Sequence, residues 1–222
     1  GADDTGHGND LTFSGTATTT GRAGTGTALS ITSAPAHAYR AGGVQTPHPQ
    51  TGVPLTVRTD STFTVTAWAR LDSTAGPDHQ AVVGMDSTNS SPFAISHIPG
   101  SNTWRFAMAD HDTTTTSLAT VHSTVTATAG RWTHLAGVYD IATKQLRLYV
   151  DGVLQPNTAT LTAGFHGTGS WTLGRRRYGG IDDSYFKGAI DDVRVYNYAV
   201  TASDLEQLAR PLPPQVTFPD GP

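Results

Sequence analysis

Carboxylates are the first residues to weigh for chemistry. Hydrolysis of a glycosidic bond needs two of them flanking the scissile bond, one kept protonated by its surroundings. The chain has a single glutamate, Glu206, placed where it caps a helix. Aspartate pairs occur at Asp182/Asp183 and Asp191/Asp192. Neighbours in a regular strand point to opposite faces, so neither pair would share one bond. No G-x-S-x-G or H-E-x-x-H motif is present, and the nine histidines show no ligand spacing. Cysteine is absent, which excludes disulfides, thiolate metal sites and cysteine nucleophiles.

Binding chemistry has more candidates. Arg175-Arg176-Arg177-Tyr178 offers guanidinium forks beside an aromatic ring, suited to a sulfate, uronate or sialate. The bland alternative is a solvated turn whose arginines are neutralised by Asp182 and Asp183. Sugar recognition generally uses a flat aromatic beside a few polar groups. Tyr178, Trp104 and His111, with His97 and His122, stand near loops or strand ends. Trp68, Trp132 and Trp171 read as core or cross-strand residues. The expected ligand-contacting set is Arg175, Arg177, Tyr178, Trp104 and His111.

Oxygen-rich turns raise calcium. The Gly/Asp-rich segment Asp3 to Asp10 is one such turn. Asp191 falls on the closing strand in step with Val193 and Val195. An aspartate on an apolar face must be paired or metal-bound. The expected metal ligands are Asp3, Asp10 and Asp191, holding a structural Ca2+. The alternative is that Asp191 accepts main-chain or arginine hydrogen bonds and Asp3 shapes a turn.

The elements that would position these residues read as strands. In Arg131 to Gln155, Trp132, His134, Ala136 and Val138 alternate with Thr133, Leu135, Gly137 and Tyr139. Leu146, Leu148 and Val150 alternate with Arg147, Tyr149 and Asp151. Asp151-Gly152 tolerates the positive φ angles of a two-residue hairpin, so Val153 and Leu154 return as a short strand. Phe63 to Arg70 places Phe63, Val65, Ala67 and Ala69 on one face, Trp68 and Arg70 on the other. Further strands are expected at Asp10 to Ser14, Thr27 to Ile31, Ala81 to Asp86, Pro92 to Ile98, Trp104 to Ala109, Val121 to Ala127, Trp171 to Gly174 and Phe186 to Tyr196. Pro35 to Pro54, with four prolines, reads as a surface loop, and Arg175 to Asp183 as a charged loop. One helix starts at Thr201, where Thr201/Asp204 and Ser203/Glu206 are capping-box candidates. Leu205 and Leu208 face the body.

At 222 residues with 36% hydrophobic content and abundant Thr, Ser and Gly, the chain suits one all-β domain over residues 1–210. Residues 211–222 read as a proline-rich linker. A net charge of −4 argues against nucleic-acid or anionic-membrane partners. No apolar run is long enough to span a bilayer. A start at Gly1 suggests a processed or excised fragment.

The runs WTHLAGVYD, LRLYVDG and GAIDDVRVYNYAVT, with FTVTAWARLD and DDTGHGNDL, resemble the laminin-G-like (concanavalin A-like) jelly-roll family, in particular its bacterial, actinobacterial modules. The likeness extends from about Asp3 to Ala209. It implies a two-sheet antiparallel sandwich with a short C-terminal helix, and a secreted or surface location. It also implies chain ends that lie close together and sometimes share a structural calcium. The functional expectation is a non-catalytic module that binds a glycan or protein ligand and belongs to a larger secreted enzyme or surface protein. The rivals are a structural spacer, which an exposed apolar patch would favour, and an aspartate-based glycosidase.

Overall fold

The computed structural model describes residues 6–24, 26–47 and 50–211. Two seven-stranded antiparallel sheets face each other. The first runs Thr12–Ser14 (β1), His37–Arg40 (β4), Trp171–Leu173 (β15), Gln80–Met85 (β8), Phe93–Ile98 (β9), Thr103–Ala109 (β10), Leu118–Thr126 (β11). The second runs Val153–Thr160 (β14), Gln145–Val150 (β13), Trp132–Asp140 (β12), Phe63–Leu71 (β7), Gly188–Tyr196 (β18), Thr27–Ile31 (β3), Ala17–Thr20 (β2). Two hairpins stand outside the sheets: Gln45–Pro47 (β5) with Pro54–Thr56 (β6), and Arg176–Tyr178 (β16) with Ile181–Asp183 (β17).

The core is where period-two alternation places it. Phe63, Val65, Ala67 and Leu71 of β7 meet Phe93, Ile95, Phe106 and Met108 of the first sheet. The Phe63 ring lies 5.2 Å from Phe93 and 6.4 Å from both Phe106 and Tyr139. Such offset and edge contacts suit aromatic quadrupoles. Gly137 belongs to this core because nothing larger fits. A Cβ there would lie 2.7 to 2.9 Å from the Phe106 ring.

Asp151 and Gly152 take φ of 50° and 78°, giving the expected hairpin between β13 and β14. The Thr201 Oγ1 accepts from the Asp204 N–H at 3.2 Å, and Ala202–Leu208 is the helix, α1. Leu205 is fully buried against Ala136, Val138, Tyr149 and Val200, on the outer face of the second sheet.

Three expectations need correction. Pro35 to Pro54 is not wholly loop: β4 lies inside the first sheet, between β1 and β15, and β5 pairs with β6. The strand after Gly152 runs to Thr160, beyond the short return expected. Arg175 to Asp183 contains a hairpin, with Gly179 and Gly180 at φ of 63° and 83° in its turn.

Candidate functional site

The β16–β17 hairpin lies against the first sheet on the side away from the core. Its root follows β8, where the Ala81 N–H donates to Ser184 O at 2.7 Å. Its tip is tied to the β8–β9 loop, with the Gly180 N–H on Asn89 O at 2.8 Å. Asp112 organises that loop. Its carboxylate accepts the N–H groups of Thr88, Asn89 and Ser90 at 2.7 to 3.0 Å and the Ser87 hydroxyl at 2.8 Å. Burial pushes the Asp112 carboxyl up, but these donors outweigh it and hold the group below its ordinary value. Sequence reasoning passed over Asp112, because nothing in its neighbourhood reveals contacts made across more than twenty residues.

Most arginine chemistry here is internal. Arg175 is buried and grips Asp86 with both terminal nitrogens, at 2.8 and 2.7 Å. Arg177 donates to Thr88 O, Asp182 and Gly180 O at 2.9 to 3.0 Å. Arg176 holds Asp183 through Nε and Nη2, at 3.1 and 3.4 Å, and lies 4.9 Å from the Tyr178 ring centre. Asp182 and Asp183 thus serve opposite faces of the hairpin, as strand geometry requires. Arg177 is neutralised by Asp182, as the turn reading expected, but Arg175 is buried on Asp86 rather than solvated; both are structural cross-links. Tyr178 is half-buried and remains available.

Cross-strand register identifies what lies under the hairpin. Arg105 of β10 stands opposite Ser96 of β9 and His122 of β11, and Ser96 stands opposite Ala81 of β8. Residues opposite each other share a face, and Trp104 and Phe106 point into the core, so this row points outward. The adjacent row is Gly84, Ala94, Ala107 and Thr120. These small residues let the hairpin settle close to the sheet. Arg176, Asp183 and Tyr178 come within electrostatic reach of Arg105. Burial, reinforced by the Arg176 charge, pushes the Arg105 guanidinium down to about 10. Burial and the same arginines also depress His79, and burial with Arg105 depresses His122. Arg105 was not among the sequence candidates; its parity within a strand was readable, but not what would lie above it.

The remaining candidates fall elsewhere. Trp104 is corrected: it is 1% exposed, its ring edge-on to His97 at 5.7 Å, because its parity matches Phe106 and Met108. It is core and cannot meet a ligand. His111 is exposed, with Nδ1 3.3 Å from Asp110. Both line an open groove of about 400 Å³ with Leu118, Ala119 and Thr160 to Ala163.

Asp191 is corrected too. The ladder slips between Asp191 and Arg194, with Asp192 at φ 48°. That extra residue reverses the alternation. Asp191 stands opposite Trp68 on the outer face, while Val193 and Val195 pack on the core. Its oxygens accept the N–H of Arg22 at 2.9 Å and of Asp192 at 2.8 Å. Asp10 is exposed on the opening turn ahead of β1, at the edge of the other sheet, and Asp3 lies outside the described residues. Among the described residues no three His, Asp or Glu side chains gather as a metal site. Asp191, on the outer face of the second sheet, and Asp10, ahead of β1 in the first, belong to different sheets.

The outer face of the second sheet is differently furnished. Trp68 and His134 rings lie 5.3 Å apart, and the Arg22 guanidinium covers Trp68 at 4.3 Å. Burial pushes His134 down to about 4, against the opposing pull of Asp151 and Asp192. The His134 ring Nδ1 has no hydrogen-bond partner.

The fold and the matched segment together decide the family. A family model described as the concanavalin A-like lectin/glucanases superfamily, Laminin_G_3, matches residues 40–206. The chain belongs to this superfamily. The match starts later than the likeness read from Asp3 onward. Domain 4 of AbnA, a GH43 extracellular arabinanase from Geobacillus stearothermophilus solved with arabinotriose, is 20% identical. It covers 94% of this chain and 92% of its own, at a TM-score of 0.62. A native heptameric SAP-like pentraxin from Limulus polyphemus is 14% identical over 67% of this chain and 70% of that one, with TM-score 0.52. Trypanosoma rangeli sialidase, 14% identical at TM-score 0.60, matches 90% of this chain but only 29% of its own length. At these identities the likenesses speak to fold. No curated protein sequence matches the chain. Among the described residues no helix is long and apolar enough to cross a membrane.

Proposed function

We propose that this domain is a non-catalytic glycan-binding module, and that it binds on the outer face of the first sheet beside the β16–β17 hairpin. The observation that carries this reading is the half-buried Tyr178 ring, stacked on Arg176 and within electrostatic reach of Arg105, which also feels Asp183 and acts on His79 and His122. A rigid aromatic with convergent polar groups is how proteins hold a sugar. The carboxylates support the non-catalytic part. Glu206 sits on the helix with Arg210 at 3.3 Å, and both aspartate pairs are held by arginines or main-chain donors. The superfamily, and a neighbour solved with arabinotriose, support a sugar ligand.

On this reading the module is secreted or surface-displayed within a larger enzyme or surface protein. A glycan array, run once with calcium and once with chelator, is the test. Reproducible binding to one sugar class, lost in Tyr178→Ala, supports it; a blank array in both conditions overturns it. For calcium the reading keeps a structural ion at the opening turn, drawn from the composition of Asp3 to Asp10; an unchanged Tm on chelation removes it. A second reading, the protein-contacting spacer, has its own observation. Val125, Val153 and Leu154 are 47%, 64% and 46% exposed on neighbouring strands, where the Thr124 N–H meets Gln155 Oε1. A blank array together with association through that edge would favour it.

A further inference from the structure

We infer that Arg105 is the centre that reads the ligand's charge, and that the sugar bound here carries a carboxylate, as a uronate or a sialate does. The inference rests on the glycan-binding reading and narrows it to an acidic sugar. Arg105 is 7% exposed, and neither its Nε nor its Nη2 has a hydrogen-bond partner. The Ser96 hydroxyl opposite it is also buried and unpartnered.

The two unsatisfied nitrogens are those that form one side of the guanidinium fork. Arg176, beside it, uses the same two atoms on the two oxygens of Asp183. Arg105 presents the same fork with no hydrogen-bond partner on either nitrogen. A carboxylate fills that fork with two parallel charge-assisted bonds.

The surroundings also call for an anion. Asp183 is the carboxylate within reach, and Arg176 already holds it. That leaves one guanidinium in surplus, and a buried charge without a counter-charge is strongly disfavoured. His79 and His122 flank the same place. Tyr178, His79, His122 and Asp183 are half-exposed and form the rim from which a sugar would approach. Arg175 and Arg177 contribute nothing to this charge reading, since their carboxylates are internal.

The experiment is calorimetric titration of the intact domain with matched oligosaccharides. The probes are oligogalacturonate, oligoglucuronate and a sialyl-oligosaccharide, each beside its methyl ester, plus a neutral oligosaccharide of equal length. The free acid of one class should bind at least tenfold more tightly than its ester. Arg105→Met should remove that preference, and Arg105→Lys, which keeps the charge but not the fork, should lose most of it. Whichever acid binds names the source. Should Arg105→Met fail to fold, the acid-against-ester comparison on the unaltered domain decides alone. Equal binding of acid and ester, or of neutral and acidic probes, overturns the charge-reading role while leaving the glycan module standing. No binding to any probe overturns both.

Discussion

The second sheet's outer face is closed by apolar packing: α1 seats Leu205 on Ala136, Val138 and Tyr149, and Arg22 covers Trp68. The first sheet's outer face is closed by charge: a hairpin bearing three consecutive arginines rests on alanines, a serine and a buried fourth arginine. Both coverings bury side chains beneath them, Leu205 in one case and Arg105 in the other, but they differ in what they leave over. On the second face Arg22 and Arg194 both reach Asp192, with Asp191 beside it accepting the Arg22 N–H. The hairpin leaves Arg105 without a counter-charge. Apolar closure serves stability, while an unmatched charge marks a place kept for something else.

Four measurements would break or sharpen that contrast. The largest effect belongs to Arg175→Met, which strands Asp86 beneath the hairpin. Urea denaturation should show a loss of about 3–5 kcal/mol, as when one partner of a buried pair is removed. A loss below 1 kcal/mol would mean that the hairpin is dispensable to the fold.

Acidification probes the other face. His134 is held neutral in the folded protein and protonates only at about 4, against an ordinary value of 6.5. Between those values the unfolded chain binds a proton that the folded chain refuses, so stability falls as pH falls from about 6.5 to about 4. The window amounts to roughly 3 kcal/mol. Denaturation curves at several pH values should show the slope, and His134→Gln should flatten it.

Leu205→Ala should cost about 2 kcal/mol, the low end for a buried leucine, because a seven-residue helix can shift into the space left. Tyr178→Ala should change stability by no more than about 0.5 kcal/mol, as for surface positions, while abolishing glycan binding. If it destabilises as much as Leu205→Ala, the two coverings are alike and the contrast fails.

Much of the scaffold is legible in the sequence. The alternation in β7, β12 and β13, the Asp151-Gly152 turn and the Thr201 cap depend on neighbours within a few residues, so local sequence carries them. Other elements escaped. The β4 strand has only Ala38 fully buried within a proline-rich stretch, and the sheet on either side makes it a strand. The Gly179-Gly180 turn was a hairpin signal in plain view, obscured by the charge around it. Of the residues in the proposed site, Tyr178 was among the sequence candidates. Trp104 was misplaced because its nearness to a turn said nothing of its parity within β10. Asp191 was misread because a bulge reverses alternation without any mark in the residue types.

The sequence by itself determined the strands, most of their inward faces, and the absence of the side chains that cysteine chemistry or a paired-glutamate mechanism would need. Those follow from residue type and short-range periodicity. Only the tertiary structure decided which arginine is spent and which is spare. Arg175, Arg176 and Arg177 looked alike in the chain, and Arg105 looked like one polar residue in a strand. Whether a guanidinium is neutralised depends on the carboxylates that folding brings within about 3 Å, and those come from strands up to 89 residues away, as Asp86 does for Arg175.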